Sequence, residues 1–170
     1  NDKMLRWHVA AERFNVKTFV AVDCDDPFFD PTLTHATHQM LVDGDHDYVV
    51  PDMSAYIGSH NLAVRSSALH ESVKRKTTSS TEMIERFFHA DANIGKFFAY
   101  DVRMIEHHMR LTLDYDEDWW LIKTLCRERG HYVQRSDIID FFELNTGLTI
   151  LNEFRHTDWL RHRNEPTHIH

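Results

Sequence analysis

Val16 to Val22 is an almost continuously apolar run, and it empties directly into VDCDDPFFDP, where four acidic residues and a cysteine occupy ten positions. Such a run is the mark of a strand covered on both faces, as in parallel sheets. Asp30-Pro31 then reads as a helix N-cap followed by proline at the first helical position. Leu33, Ala36, Thr37, Met40 and Leu41 form the buried stripe of that helix, and Gly44 closes it. A strand, a helix and then the short strand Tyr48-Val49-Val50, cut off by Pro51, already describe an α/β unit.

The rest of the chain keeps the alternation. Met4, Trp7, Ala11 and Phe14 predict an opening amphipathic helix. Asn61 to Arg65 predicts a strand, with a helix capped by Ser66 behind it. Lys74-Arg75-Lys76 reads as a solvated loop. Met83, Ile84, Phe87 and Phe88 predict another helix, and Lys96–Val102 and Met109–Leu113 predict strands. Trp119, Ile122 and Cys126, widened by Leu121 and Leu125, mark one helical face, and Ser136 caps a helix through Phe142. The expected architecture is a three-layer α/β fold, a mainly parallel sheet flanked by helices. It spans residues 1–152 as one unit, with a polar, histidine-rich tail over 153–170 that carries no clear pattern.

Acids gather at the ends of two predicted strands: Asp23, Asp25, Asp26 and Asp30, then Asp114, Asp116, Glu117 and Asp118. That edge of an open α/β sheet is where ligands bind. Asp30 is explained as a cap, and Asp116, Glu117 and Asp118 as a first helical turn that complements the helix dipole. Asp25 and Asp114 sit ahead of the capping positions, where neither explanation reaches them. Two hard carboxylates from two strands suit magnesium, which takes few protein ligands and completes its shell with water and phosphate. The expected metal ligands are Asp25 and Asp114, with Asp23 and Asp116 as weaker candidates.

Charge narrows the partners. The net charge of −8 gives no basic face for nucleic acid. No apolar segment approaches the ~20 residues of a membrane span. Two cysteines, Cys24 and Cys126, fit free thiols in a reducing cytoplasm rather than a disulfide framework. The fourteen histidines show no spacing that completes a zinc site. His35 and His38 are expected to face solvent, His107-His108 open a strand, and His156, His162, His168 and His170 are spread along the tail.

DDPFFDP, a helix and DYVV together resemble the GDxPLIDP, helix and DYV of the CTP-dependent cytidylyltransferases that activate acidic or surface-polysaccharide sugars. RLTLDYDEDWWLIKTL is similar to that family's RxTVDTPEDLxLI, and GSHNLAVRSSAL resembles its GLDVEVFSxxAL. RSDIIDFFELNTGLTILN is similar to the ending of the spore-coat polysaccharide branch. The resemblance runs in order from about Asp2 to Asn152. It implies a nucleotide-diphospho-sugar transferase-like fold, with Asp25 and Asp114 holding Mg2+ beside the phosphates of CTP. It also implies a sugar or sugar-acid substrate near His60 and Asn61, pyrophosphate release, a role in polysaccharide biosynthesis, and a possible homodimer.

The departures are specific. Cys24 stands at the family's glycine, His60 and Leu62 replace its acidic pair, and Asp116 replaces a proline. The family's opening phosphate loop, roughly RxxSxRLPGK, has no counterpart among the five scattered glycines. The chain therefore reads as the C-terminal portion of such an enzyme, inactive alone. Two other functions compete: a nucleotide-sugar glycosyltransferase using Asp23-Cys24-Asp25 as a DxD metal motif, and a degenerate domain retained for binding.

Overall fold

The computed structural model describes residues 2–52, 56–99 and 109–164, with side chains through Arg161. Helix α1 (Lys3–Arg13) is capped by Asp2, whose Oδ1 accepts from the Leu5 amide at 3.0 Å. It ends at Asn15, which turns the chain at φ 50°. Strand β1 (Thr18–Val20) follows, shorter than the apolar run around it. Asp30 caps α2 (Pro31–Asp43) by accepting from the Thr32 and Leu33 amides at 2.7 and 3.1 Å, and Gly44 closes that helix as its sequence predicts.

Strands β2 (Tyr48–Pro51), β3 (Ala63–Arg65) and β4 (Ile94–Phe97) complete a four-stranded sheet in the order β1-β3-β2-β4. Strands β1, β2 and β4 point the same way. β3 runs opposite and lies between β1 and β2, with Phe19 beside Val64 and Tyr48 beside the same Val64. Side chains alternate across the sheet with the period of two that strands impose. Phe19, Val64, Tyr48 and Val50 pack under α1 and α3 (Ser66–Arg75), together with Met4, Leu69 and Ile84. Val20, Ala63, Val49 and Phe97 face Met40 and Leu41 of α2 on the other side. These are the three expected layers.

Beyond the sheet, α4 (Asp116–Arg129), α5 (Arg135–Leu144) and α6 (Ile150–Asn164) surround a second cluster built on Phe28, Tyr56, Leu111, Leu121, Ile138 and Phe142. Several local expectations change here. Among the described residues Met109–Leu113 makes only one parallel bridge, Ile57 to Arg110, because the partner segment turns away at Gly58 with φ 90°. Met83 to Phe88 forms a single 3-10 turn over Ile84–Phe87. The buried face of α4 is Asp118, Leu121, Ile122 and Leu125, while Trp119 is half exposed. Ser66 lies inside α3 and donates to the Val16 carbonyl at 2.7 Å instead of capping. Lys74 and Arg75 form the last turn of α3, and Lys76 pairs with Asp2 at 2.5 Å. The polar residues after Asn152 continue α6. The later part of the expected strand at Lys96–Val102, His107-His108 and the tail beyond 164 lie outside the described residues.

Candidate active site at the acidic strand ends

The loop after β1 brings three carboxylates together. Oxygens of Asp23, Asp25 and Asp26 lie within 4.8 Å of one another. The three have different surroundings. Asp23 is half-buried and accepts from Lys3 Nζ at 2.8 Å, so the start of α1 neutralises part of the cluster. Asp26 is buried, and its Oδ2 accepts from Asn61 Nδ2 at 2.7 Å. Burial pushes the Asp26 carboxyl upward. Hydrogen bonds from Asn61 and Thr112 oppose that rise, and the Asp25 and Asp23 charges add to it. Asp25 is half-buried between them, and Cys24 carries an exposed, unbridged thiol.

The second acidic stretch is fastened beside the first through backbone, although the Asp114 carboxylate is not part of the group that Asp23, Asp25 and Asp26 form. The Leu113 amide donates to the Asp25 carbonyl at 2.8 Å. Gly58 lies under the same junction: a Cβ there would stand 3.0 Å from both Asp26 Oδ1 and the Leu111 carbonyl oxygen. The glycine is thus required by the close approach as well as by its positive φ. Asp114 and Asp116 line a shallow cavity of about 250 Å³ with Leu113, Tyr115 and Trp119. Asp116 is exposed at the first position of α4. Asp114 is about a third exposed, and Arg110 Nη2 holds its Oδ2. An apolar groove of about 270 Å³, walled by Trp7, Phe14, Phe19 and Val22, runs along β1 and reaches Asp23.

Arg110 also reaches Asp118, a residue the sequence explains only as a helix-start acid. Both side chains are fully buried, with Arg110 Nε 3.1 Å from Asp118 Oδ1. Asp118 Oδ2 accepts the backbone amides of Asp114 and Tyr115 at 3.0 Å each. Asn152, at the end of the segment that resembles the spore-coat branch, donates to Asp118 Oδ1 and to the Arg110 carbonyl at 2.8 Å each. Asp118 therefore sets the backbone on which Asp114 sits. The capping-box pattern is its signal in sequence; the link to Asn152 has none.

His60 and Asn61 take up structural partners. Asn61 spends its amide on Asp26. His60 is buried, with Nδ1 against Ser59 Oγ at 2.7 Å, its ring edge-on to Phe97, and Nε2 lacking a partner among the described residues. Burial lowers its pKa to about 4, so it is uncharged at neutral pH. His35 is exposed as expected, whereas His38 is half-buried and bonds Thr18 Oγ1 at 2.9 Å. His156 stacks on Trp159 in α6.

No protein-family model matches the sequence, and no curated protein matches it. Two solved structures share its architecture. A cytidylyltransferase from Leptospira borgpetersenii serovar Hardjo-bovis superposes with a TM-score of 0.76 over 88% of this chain, at 15% identity. The chain shares that protein's fold. The molybdopterin-guanine dinucleotide biosynthesis protein A of Archaeoglobus fulgidus superposes with a TM-score of 0.53 over 75% of the chain, at 16% identity. The chain spans 65% and 64% of the lengths of those two proteins. The resemblance read from DDPFFDP and LDYDEDWW thus holds at the level of the fold. Among the described residues, no helix is long and apolar enough to cross a membrane.

Proposed function

We propose that this chain is the metal-binding and sugar-recognising portion of a nucleotidyltransferase that activates a sugar or sugar acid with CTP in surface-polysaccharide biosynthesis. In that reaction a sugar hydroxyl oxygen bonds to the α-phosphorus of CTP. The bond from that phosphorus to the bridging oxygen breaks, pyrophosphate leaves, and the hydroxyl proton passes to solvent. The observation that carries the reading is the junction of two acidic loops on this fold, with the Leu113 amide bonded to the Asp25 carbonyl.

The donor chemistry suits magnesium. The acids are hard oxygen ligands, and burial holds the Asp26 carboxyl above its ordinary pKa, with the neighbouring Asp25 and Asp23 charges adding to that rise. Asp25 is the principal ligand, Asp114 supplies the second carboxylate through its oxygen not held by Arg110, and Asp23 and Asp116 stand as lesser contributors. Bound there, magnesium would offset charge on the triphosphate and on the leaving pyrophosphate. The chain's own part is positioning: Asn61 and Thr112 steady Asp26, Lys3 steadies Asp23, and Asp118 orients the backbone of Asp114. His60, neutral and buried, offers a sugar hydrogen bonding but no charge.

The test is pyrophosphate release from CTP by the full-length gene product, with sugar acids and amino sugars as acceptors. Asp25→Asn and Asp114→Asn are expected to abolish turnover while leaving the fold intact. Absence of release by a folded, magnesium-binding protein would refute the reading. Transfer from a nucleotide-sugar donor instead would favour the glycosyltransferase alternative. Absence of magnesium-dependent CTP binding would favour the degenerate domain.

A further inference from the structure

We infer that His8, Glu12 and His70 form a second metal site, built for a zinc-class ion and separate from the acidic loops. His8 and Glu12 stand one turn apart on α1, and His70 faces them from α3, 62 residues away in sequence. His8 Nε2 lies 3.3 Å from His70 Nδ1 and 3.5 Å from Glu12 Oε1. All three ligand atoms fall within 4.8 Å of one another. The imidazole rings have centroids 4.9 Å apart and are tilted by 50°, so they converge edge-first instead of stacking.

The two separations from His8 Nε2 are close to those a tetrahedral ion sets. Ligands 2.0–2.1 Å from zinc at the tetrahedral angle stand about 3.3–3.4 Å apart. A hydrogen bond between the two rings is the competing explanation, and it accounts for less. The spacing of 3.3 Å is long for a bond to nitrogen, and the same His8 nitrogen is also approached by Glu12. One proton on Nε2 serves one of those neighbours; a cation at their centre serves all three.

The donor set selects the ion. Two imidazoles and one carboxylate suit zinc, cobalt or nickel, whereas magnesium prefers an all-oxygen shell. His8 is nearly buried, with 13% of its side chain exposed, and Glu12 is 64% exposed. The fourth position is therefore open to water or to an outside ligand, as in zinc sites with three protein ligands. Occupation ties α1 to α3. Because the ligands come together only in the folded chain, binding adds to folding stability.

Cobalt titration of the chain in excess magnesium tests this. One equivalent is expected to give the intense visible absorption of tetrahedral cobalt, to be displaced by zinc, and to raise the melting temperature. His70→Ala should remove the absorption. Glu12→Gln, at an exposed position where the fold is not at risk, should weaken binding at least about tenfold, the lower bound seen even for outer-shell partners. Replacing His162, His168 and His170 together by alanine should leave binding unchanged. No cobalt absorption in the native chain, full binding by both His70→Ala and Glu12→Gln, or loss of binding with the tail histidines would each overturn the site.

Discussion

His60 carries the clearest consequence of burial at a single residue. Its ordinary pKa of 6.5 falls to about 4 in the fold because desolvation penalises the imidazolium, an effect that nearby Asp30 only partly opposes. The unfolded chain thus binds a proton that the folded chain refuses between those two values. Stability from His60 is whole above pH 6.5 and drains away as pH falls towards 4, by about 3 kcal/mol in all. Asp26 acts in the opposite sense. Its raised pKa means that the folded chain holds a proton the unfolded chain gives up, which offsets part of the loss at the acid end. Urea unfolding across pH 4 to 7 should show this slope in the native protein and a flatter one in His60→Gln. An unchanged slope in that variant would assign the acid sensitivity to other groups.

The elements most legible in sequence are those whose limits are set locally. Asp30-Pro31 and Gly44 bound α2 by cap chemistry alone, and the acid cluster after β1 is contiguous in sequence. What escaped is set by partners far along the chain. Met109–Leu113 has the composition of a strand, yet a strand is defined by its neighbour, and among the described residues only Ile57 bridges to it. α6 is mostly polar with scattered apolar residues and no strong apolar stripe, and Asn152 near its start is buried by contacts to Arg110 and Asp118, 42 and 34 residues away. The same network separates the buried Asp118 from the partly exposed Asp114, the proposed ligand, between one end of LDYDED and the other. Removing one partner of a buried ion pair costs roughly 3–5 kcal/mol, so Asp118→Ala is expected to fall in that range. Asp114, about a third exposed and sharing the same arginine, should cost no more than about 1 kcal/mol as Asp114→Asn. Denaturant midpoints of the two variants check the contrast. Equal losses would make Asp114 a structural acid and weaken its claim to a metal.

At the scale of the whole molecule, the candidate site lies on a seam between two hydrophobic clusters, one against the sheet and one among α4, α5 and α6. Among the described residues, backbone hydrogen bonds and an ion pair stitch that seam. Leu113 bonds Asp25, the Met109 and Leu111 backbones bond Ile57, and Arg135 pairs with Asp30 at 2.9 Å. Gly58 sits where they meet, and its position ties stability to ligand geometry. Gly58→Ala adds a methyl 3.0 Å from the Leu111 carbonyl oxygen, a backbone atom that yields only if the seam opens, and forces alanine to φ 90°. The conformational cost alone is about 1–2 kcal/mol. The same methyl presses on Asp26 Oδ1 within the carboxylate cluster. Unfolding free energy and magnesium affinity, the latter by calorimetry, are therefore expected to fall together in Gly58→Ala, with secondary structure retained. A loss of stability with unchanged magnesium affinity would separate the seam from the proposed metal site. It would leave Asp25 to bind independently of how the two clusters are joined.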